Sequence, residues 1–371
     1  MESRRVLVAT LVIAAGLAGA TALDEPTADR AAPPANQLVS PDGTESYVWP
    51  YTSRRQSADD RTLALNVIVE GDPDKVRRAF LDRSDANWTT VNQSNTVNVS
   101  PWRQAHGSAR YSYVSDDPEG NGRWVAPAYQ LAIGTYFGER THIRAYPSAS
   151  GNWTALQAHT EYWDWYRLRH TVTGVDPGAR FVERDLADEP FVEGVERRTH
   201  GHLGGEGNGS WIAVEFAAAT LLGAAIPLTT SRLARRDIAI PATILLLVLG
   251  VRAWGLGAEA VAPGVNPKLY VAVGYPVLAI GPPVVTAALA RDRPALQTAL
   301  LAFAGLAIAT SIELALVGVY PVPADVVNHR LVLSAALAVV AYGVARDRRE
   351  IVGVGVVAWL AALAAPLLGV V

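Results

Sequence analysis

The chain has 371 residues, half of them hydrophobic, a net charge of −3 and no cysteine. The lack of cysteine excludes disulfides, thiolate metal sites, a cysteine nucleophile and a lipoprotein anchor. Residues 24–210 carry 26 acids against 19 bases, net −7, and the remainder is net +4; neither part has the basic stripe that nucleic acid requires.

Residues 1–22 place Arg4 and Arg5 ahead of an apolar run, Val6 to Ala22, that closes on Ala20-Thr21-Ala22. A basic start, apolar middle and small-residue end describe a secretory signal, and the same pattern fits an uncleaved anchor helix. Either one sends the following segment across a membrane. Residues 23–46 are rich in Pro and Asp with little to bury, and read as a disordered tether.

Residues 47–198 have the size of one domain. "TLALNVIVEG" reads as a strand ending at Gly71. In "DPDKVRRAFLDR", Asp72 is the expected N-cap of a helix that puts Val76, Phe80 and Leu81 on one face. "ERTHIRAYPSASGNWTALQAHTEYW" reads as a hairpin with its turn over 147–152. "DPGARFVERDLADE" reads as a second helix and "PFVEGVERR" as a last strand. Strands and helices mix without βαβ regularity, so the expected class is α+β.

Four segments carry a resemblance: "LNVIVEGDPDKVRRAFLDRSDANW", "GTYFGERTHIRAY", "GNWTALQAHTEY" and "LRHTVTGVDPGARFVERDL". In their order of strand, helix, Trp88, "HIRAY", His170, Asp176 and "ERDL", residues 62–190 resemble the C-terminal domain of the LssY family. The family usually ends the "HIRAY" motif in tryptophan, and "YWDWY" departs from its pattern. The resemblance implies a domain type, fused to membrane segments, and no reaction.

A hairpin folded about the middle of 147–152 pairs residue 146 with 153, 144 with 155 and 142 with 157. Period-2 alternation then puts Arg140, His142, Arg144, Tyr146, Trp153, Gln157, His159 and Glu161 on one face, with Ile143, Ala145, Leu156 and Ala158 on the core side. His170 joins the polar face if the chain returns. His142, His159 and Glu161 suit zinc by residue type. Arg140 and Arg144 suit a phosphate or carboxylate, with a histidine as acid or base. The plain alternative is a solvated face laced with ion pairs. No H-E-x-x-H, G-x-S-x-G or Walker loop is present, so these residues define no reaction or cofactor. Tyr162, Trp163, Trp165 and Tyr166 cannot all point inward from one strand. Trp163 and Trp165 either stack on a ligand such as a sugar ring or pack against another element.

Residues 199–210 form a glycine-rich linker, in which His200 and His202 read as incidental. From 211 onward six apolar spans follow, at about 211–229, 238–256, 269–290, 295–319, 326–345 and 351–371. Arg232, Arg235, Arg236, Arg291, Arg293, Arg346, Arg348 and Arg349 fall in alternate connectors, opposite those holding only Lys268 and Arg330. The positive-inside rule places the arginine loops and the N-terminus in the cytoplasm, with residues 23–210 and the C-terminus outside. The sequons at Asn87, Asn92, Asn98, Asn152 and Asn208 all lie in that outer segment. Glu215, Arg252, Glu313, His329 and Arg330 sit inside spans at one depth, forming either an outward polar pocket or a set of mutual neutralisations. Glycines and prolines in 269–290 should kink that span.

The expected architecture is an α+β extracytoplasmic domain on a six-helix transmembrane bundle, preceded by a signal or anchor helix. The expected function is ligand or partner binding at the cell envelope, with the lipid bilayer and an envelope protein or glycan as partners. A metal-dependent or phosphate-handling hydrolase and a small-solute transporter are the alternatives.

Overall fold

A computed structural model describes residues 31–41, 45–91, 110–117, 119, 121–187, 238–319 and 322–368. The signal or anchor, the linker 199–210, the span 211–229 with Glu215, the strand "PFVEGVERR", and the sequons at Asn92, Asn98 and Asn208 lie outside the described residues.

Among the described residues the polar region is built on three sheets. Strands β4 (Val67–Glu70), β5 (Thr89–Thr90), β8 (Tyr129–Gly134), β9 (Glu139–Pro147), β10 (Trp153–Asp164) and β11 (Arg169–Gly174) form the main one. Its order is β11-β10-β9-β8-β5, and β4 pairs with the first half of β10 on the edge that β11 takes further on. A second sheet joins β1 (Tyr47–Val48), β6 (Ser112–Ser115) and β7 (Arg123–Val125), and a third joins β2 (Tyr51–Ser53) to β3 (Arg61–Ala64). "TLALNVIVEG" is thus two strands: it breaks at Leu65-Asn66, where the Asn66 side chain bonds to the backbone of Ala158 and Val175.

Helix α1 (Pro73–Arg78) starts where Asp72 accepts bonds from the amides of Asp74 and Lys75, each at 2.9 Å. A π turn over Ala79–Arg83 continues it. With α2 (Asp176–Ala187) it covers one face of the main sheet, where Val76, Phe80, Val182 and Leu186 meet Leu131, Ile143, Ala145, Leu156 and Ala158. Gly178 lets α2 sit directly on β10, since a Cβ there would lie 2.4 Å from the His159 backbone. The tether expectation fails for residues 31–41. Val39 bridges to Val48, Gln37 accepts a bond from the Trp49 indole at 3.2 Å, and the Ala31 carbonyl accepts one from the Ala58 amide. Low hydrophobicity did not stop this segment from docking through its backbone.

Among the described residues, five helices long and apolar enough to cross a membrane follow: α3 (Ala239–Val261), α4 (Pro267–Leu289), α5 (Ala295–Leu316), α6 (Ala324–Ala345) and α7 (Arg349–Ala364, extended by a 3-10 turn to Leu368). At 1.5 Å per residue, 22 residues span about 33 Å, matching the hydrocarbon core. Small residues set the close approaches: Gly343 and Gly355 face the backbone of α7 and α6, and Gly305 faces Pro241. Helix α4 runs unbroken through Pro276, Pro282 and Pro283. Pro283 deprives the Ala279 carbonyl of its donor four residues on, and the Trp359 indole of α7 donates to it at 2.8 Å. Pro366 does the same to Ala362, whose carbonyl is bonded instead to His329 Nε2 at 2.9 Å.

Helix α3 continues five residues past the expected end of its span. That extra turn meets the polar domain. The connectors holding Arg291, Arg293, Arg346 and Arg348 lie at the opposite end of the helices from that contact.

Candidate functional site

The β9–β10 hairpin brings most of the anticipated polar face together. Its register pairs Tyr146 with Ala155, Arg144 with Gln157, His142 with His159 and Arg140 with Glu161. This is two residues away from the pairing drawn from the turn, because the turn centres between Ser150 and Gly151, one residue beyond the middle of 147–152. A slip of two keeps every side chain on its expected face, whereas a slip of one would have inverted them all.

The face is not solvated. His142, Gln157, His159 and Glu161 are all less than 5 % exposed, which corrects the plain expectation of surface ion pairs. One end is closed by Val48, Leu65 and Val114 against Tyr146, Trp153 and Ala155, and the other by the ring cluster of Tyr136, Phe137 and Trp163. Glu161 is the hub. Its Oε1 accepts from Arg140 Nε at 2.8 Å, and its Oε2 lies 3.0 Å from His159 Nε2. His142 Nδ1 lies 3.7 Å from Oε1. Arg144 donates to Gln157 at 2.9 Å rather than to an acid. His170 is close by but turned away, its Nε2 2.9 Å from the Tyr136 carbonyl and its ring edge-on to Tyr136 and Trp163.

Burial fixes the charge states. It lowers His142 far below the ordinary imidazole value, lowers His159, and lowers His170 to about 4. For Glu161 burial alone would raise the carboxyl, but the Arg140 guanidinium and the hydrogen bond from His159 oppose it and hold the carboxyl well below the usual range. The resting cluster is therefore neutral imidazoles around an anionic carboxylate. These histidines protonate in the unfolded chain near 6.5, so their stabilisation is complete above that pH and is lost as pH falls below it. His170 alone accounts for a loss of at most about 2 kcal/mol by about pH 5. Melting temperature in mild detergent should fall steadily between pH 7 and 5, and a flat profile would contradict this account.

The other half of the site is the turn "DWYRL" between β10 and β11. Asp164 Oδ1 accepts from the amides of Tyr166 and Arg167 at 3.0 and 3.1 Å, and Leu168 takes a left-handed conformation with φ 51°. The turn is pressed into the end of the bundle. Trp165 stacks on Phe137, with centroids 5.1 Å apart and planes 7° apart, and fills a notch made by Gly255 of α3 and Gly274 of α4. Tyr162, Trp163, Trp165 and Tyr166 are all buried, so Trp163 and Trp165 present no open ring face to a sugar.

Charged residues of the apolar helices complete this seam. Arg252 Nε donates to Glu313 at 2.7 Å, and its other nitrogens bond to Glu313 and to the carbonyls of Phe137 and Trp163 in the polar domain. Arg330 bonds to Asp164 and lies over the Tyr166 ring at 4.4 Å. Arg167 reaches Asp325 at 2.6 Å. Glu259, in the unforeseen extra turn of α3, accepts from the amides of Tyr136 and Phe137 at 2.6 and 3.0 Å. Asp164, Glu259 and Asp325 were missed by sequence reasoning. Asp164 was visible only as a polar residue inside an aromatic run, and the other two fell in apparent loops.

Five apolar spans carrying a β-rich α+β domain on one end support a multi-pass membrane protein with a docked domain. No family model, curated protein or solved structure matches the chain.

Proposed function

We propose that the chain is a cell-envelope membrane protein whose polar domain faces outward and binds a ligand or partner, the bundle acting as its rigid seat. The observation that carries this is the seam: Arg252, Glu259, Asp325 and Arg330 bind the domain at the end of the helices opposite the arginine connectors. Arginine-rich loops stay in the cytoplasm, which puts the domain outside. The sequon residues Asn87 and Asn152 are both exposed on it, as an outer-facing domain allows. Its reading as an LssY C-terminal-like domain is supported by the Trp88 indole donating at 2.8 Å to Asp185 of "ERDL", which joins two of the motif segments.

The free end of the domain is the one remote from the bundle. Strand β10 has 12 residues and separates the two ends by about 35–40 Å. There a depression of about 430 Å³ is lined by Ala32, Gln56, Tyr113, Gly122, Arg123 and Trp124. A guanidinium, an amide and aromatic rings suit a polar envelope ligand such as a glycan or an anionic peptide. A photo-crosslinking residue in place of Arg123 should capture an envelope component in intact cells, while one in place of the exposed Arg180 on α2 should not. Equal capture at both positions, or none at 123, would remove the binding role.

The lack of cysteine makes the orientation directly testable. Asp59→Cys in the domain should react with a membrane-impermeant maleimide on intact cells. Glu350→Cys, exposed at the start of α7, should react only after lysis. The reverse pattern would overturn the outward placement.

A further inference from the structure

We propose that His142, His159 and Glu161 form a binding site for a divalent transition metal of zinc's class, built across the paired strands β9 and β10. The register sets His142 directly opposite His159, and Glu161 follows two residues along the same face. One ligand atom from each of the three lies within 4.8 Å of the others. A tetrahedral ion bound at zinc's usual distances needs ligand atoms about 3.3 Å apart. His159 Nε2 lies 3.0 Å from Glu161 Oε2, already near that spacing, and His142 Nδ1 lies 3.7 Å from the other carboxylate oxygen, so closing the triangle on Oε2 takes a rotation of the His142 imidazole.

Hydrogen bonding points the same way. Among the described residues neither ring nitrogen of His142 has a hydrogen-bond partner, and neither does His159 Nδ1, although both rings are buried. A buried imidazole with both nitrogens unpaired is costly unless another group occupies the space beside it. A metal ion would use one His142 nitrogen. It would also use His159 Nε2 once the proton of that ring moves to the vacant Nδ1, a change of tautomer with no change of charge. Arg140, bound to Oε1 of Glu161, orients the carboxylate and leaves Oε2 for the ion. Its own charge opposes the metal, so the affinity of the native chain is set by that competition. Three protein ligands leave one tetrahedral position for water or an incoming donor, and nitrogen and carboxylate donors favour zinc, cobalt or iron(II) over calcium or magnesium.

The test uses the full-length chain in detergent, equilibrated with zinc at pH 7.5, desalted and measured for metal by mass spectrometry. One zinc per chain is expected, with a rise in melting temperature that magnesium does not reproduce. His142→Ala, which breaks no hydrogen bond given by the structure, and Glu161→Gln should each lower occupancy at least tenfold. His200→Ala/His202→Ala should keep it, separating this site from the histidine pair in the glycine linker. Arg140→Gln should tighten binding, an outcome that a merely structural role for the cluster would not give. Failure of the native chain to retain zinc overturns the proposal. So does full retention by His142→Ala, or loss in the His200/His202 variant with retention in Glu161→Gln. Should the substituted chains unfold, the retention, stoichiometry and metal selectivity of the native chain still decide it.

Discussion

Arg252→Met is expected to destabilise the docked molecule by about 3–5 kcal/mol, the usual cost of removing one partner from a buried ion pair. Three acceptors lose their donor at once. Glu313 is left buried without its cation, and the carbonyls of Phe137 and Trp163 lose the bonds that tie the polar domain to α3. The result should appear as a lower melting temperature in mild detergent and as faster proteolysis near residues 135–140 and 163–168, where the seam opens. Arg252→Lys should fall between the two, because an ammonium keeps the charge but lacks the planar fork that reaches a carboxylate and two carbonyls together. Arg252→Met combined with Glu313→Leu should recover only part of the loss, since it removes the orphaned charge and leaves the two carbonyls unsatisfied. A single variant that melts and cleaves like the native chain would show that this arginine does not hold the two parts together.

The sequence conveyed local structure well and long-range partnership poorly. Periodicity sufficed for the hairpin faces, the Asp72-capped helix and the spans of α3 to α7, because each depends on side-chain spacing within one segment. The face of the hairpin was legible while its pairing was not, since alternation is blind to an even slip. Burial of His142, His159 and Glu161 could not be read, because one end of their face is closed by residues distant in the chain, Val48, Leu65 and Val114, and the other by rings that pack against the bundle. Arg252, Glu313, His329 and Arg330 were legible as ionisable residues inside apolar spans, but their partners were not. Arg330 binds an aspartate 166 positions away, and Arg252 binds carbonyls that every residue possesses. His329 answers a carbonyl freed by Pro366, a need that only the folded bundle reveals. Such partners leave no periodic trace.

Trp165→Ala tests the apolar half of the same seam, and its effect should match that of the arginine. Removing a fully buried tryptophan typically costs about 3–5 kcal/mol, and this ring lies against Phe137, Gly255 and Gly274 at once. The notch exists only because α3 and α4 carry glycines there: a Cβ on Gly255 would lie 2.8 Å from the Trp165 ring, and one on Gly274 would lie 3.1 Å away. Gly255→Leu alone should therefore push the ring out and undock the turn, much as Trp165→Ala leaves the notch hollow. In combination the two should be less damaging than their sum, because the leucine occupies space the indole has vacated, and such coupling is the mark of direct contact. The readout is the melting temperature of the four chains, with protease cleavage near 165 reporting undocking separately from global unfolding. Strict additivity would place the two residues apart and leave the bundle without its hold on the domain; a positive coupling of about 1 kcal/mol or more would fix Trp165 in the glycine notch.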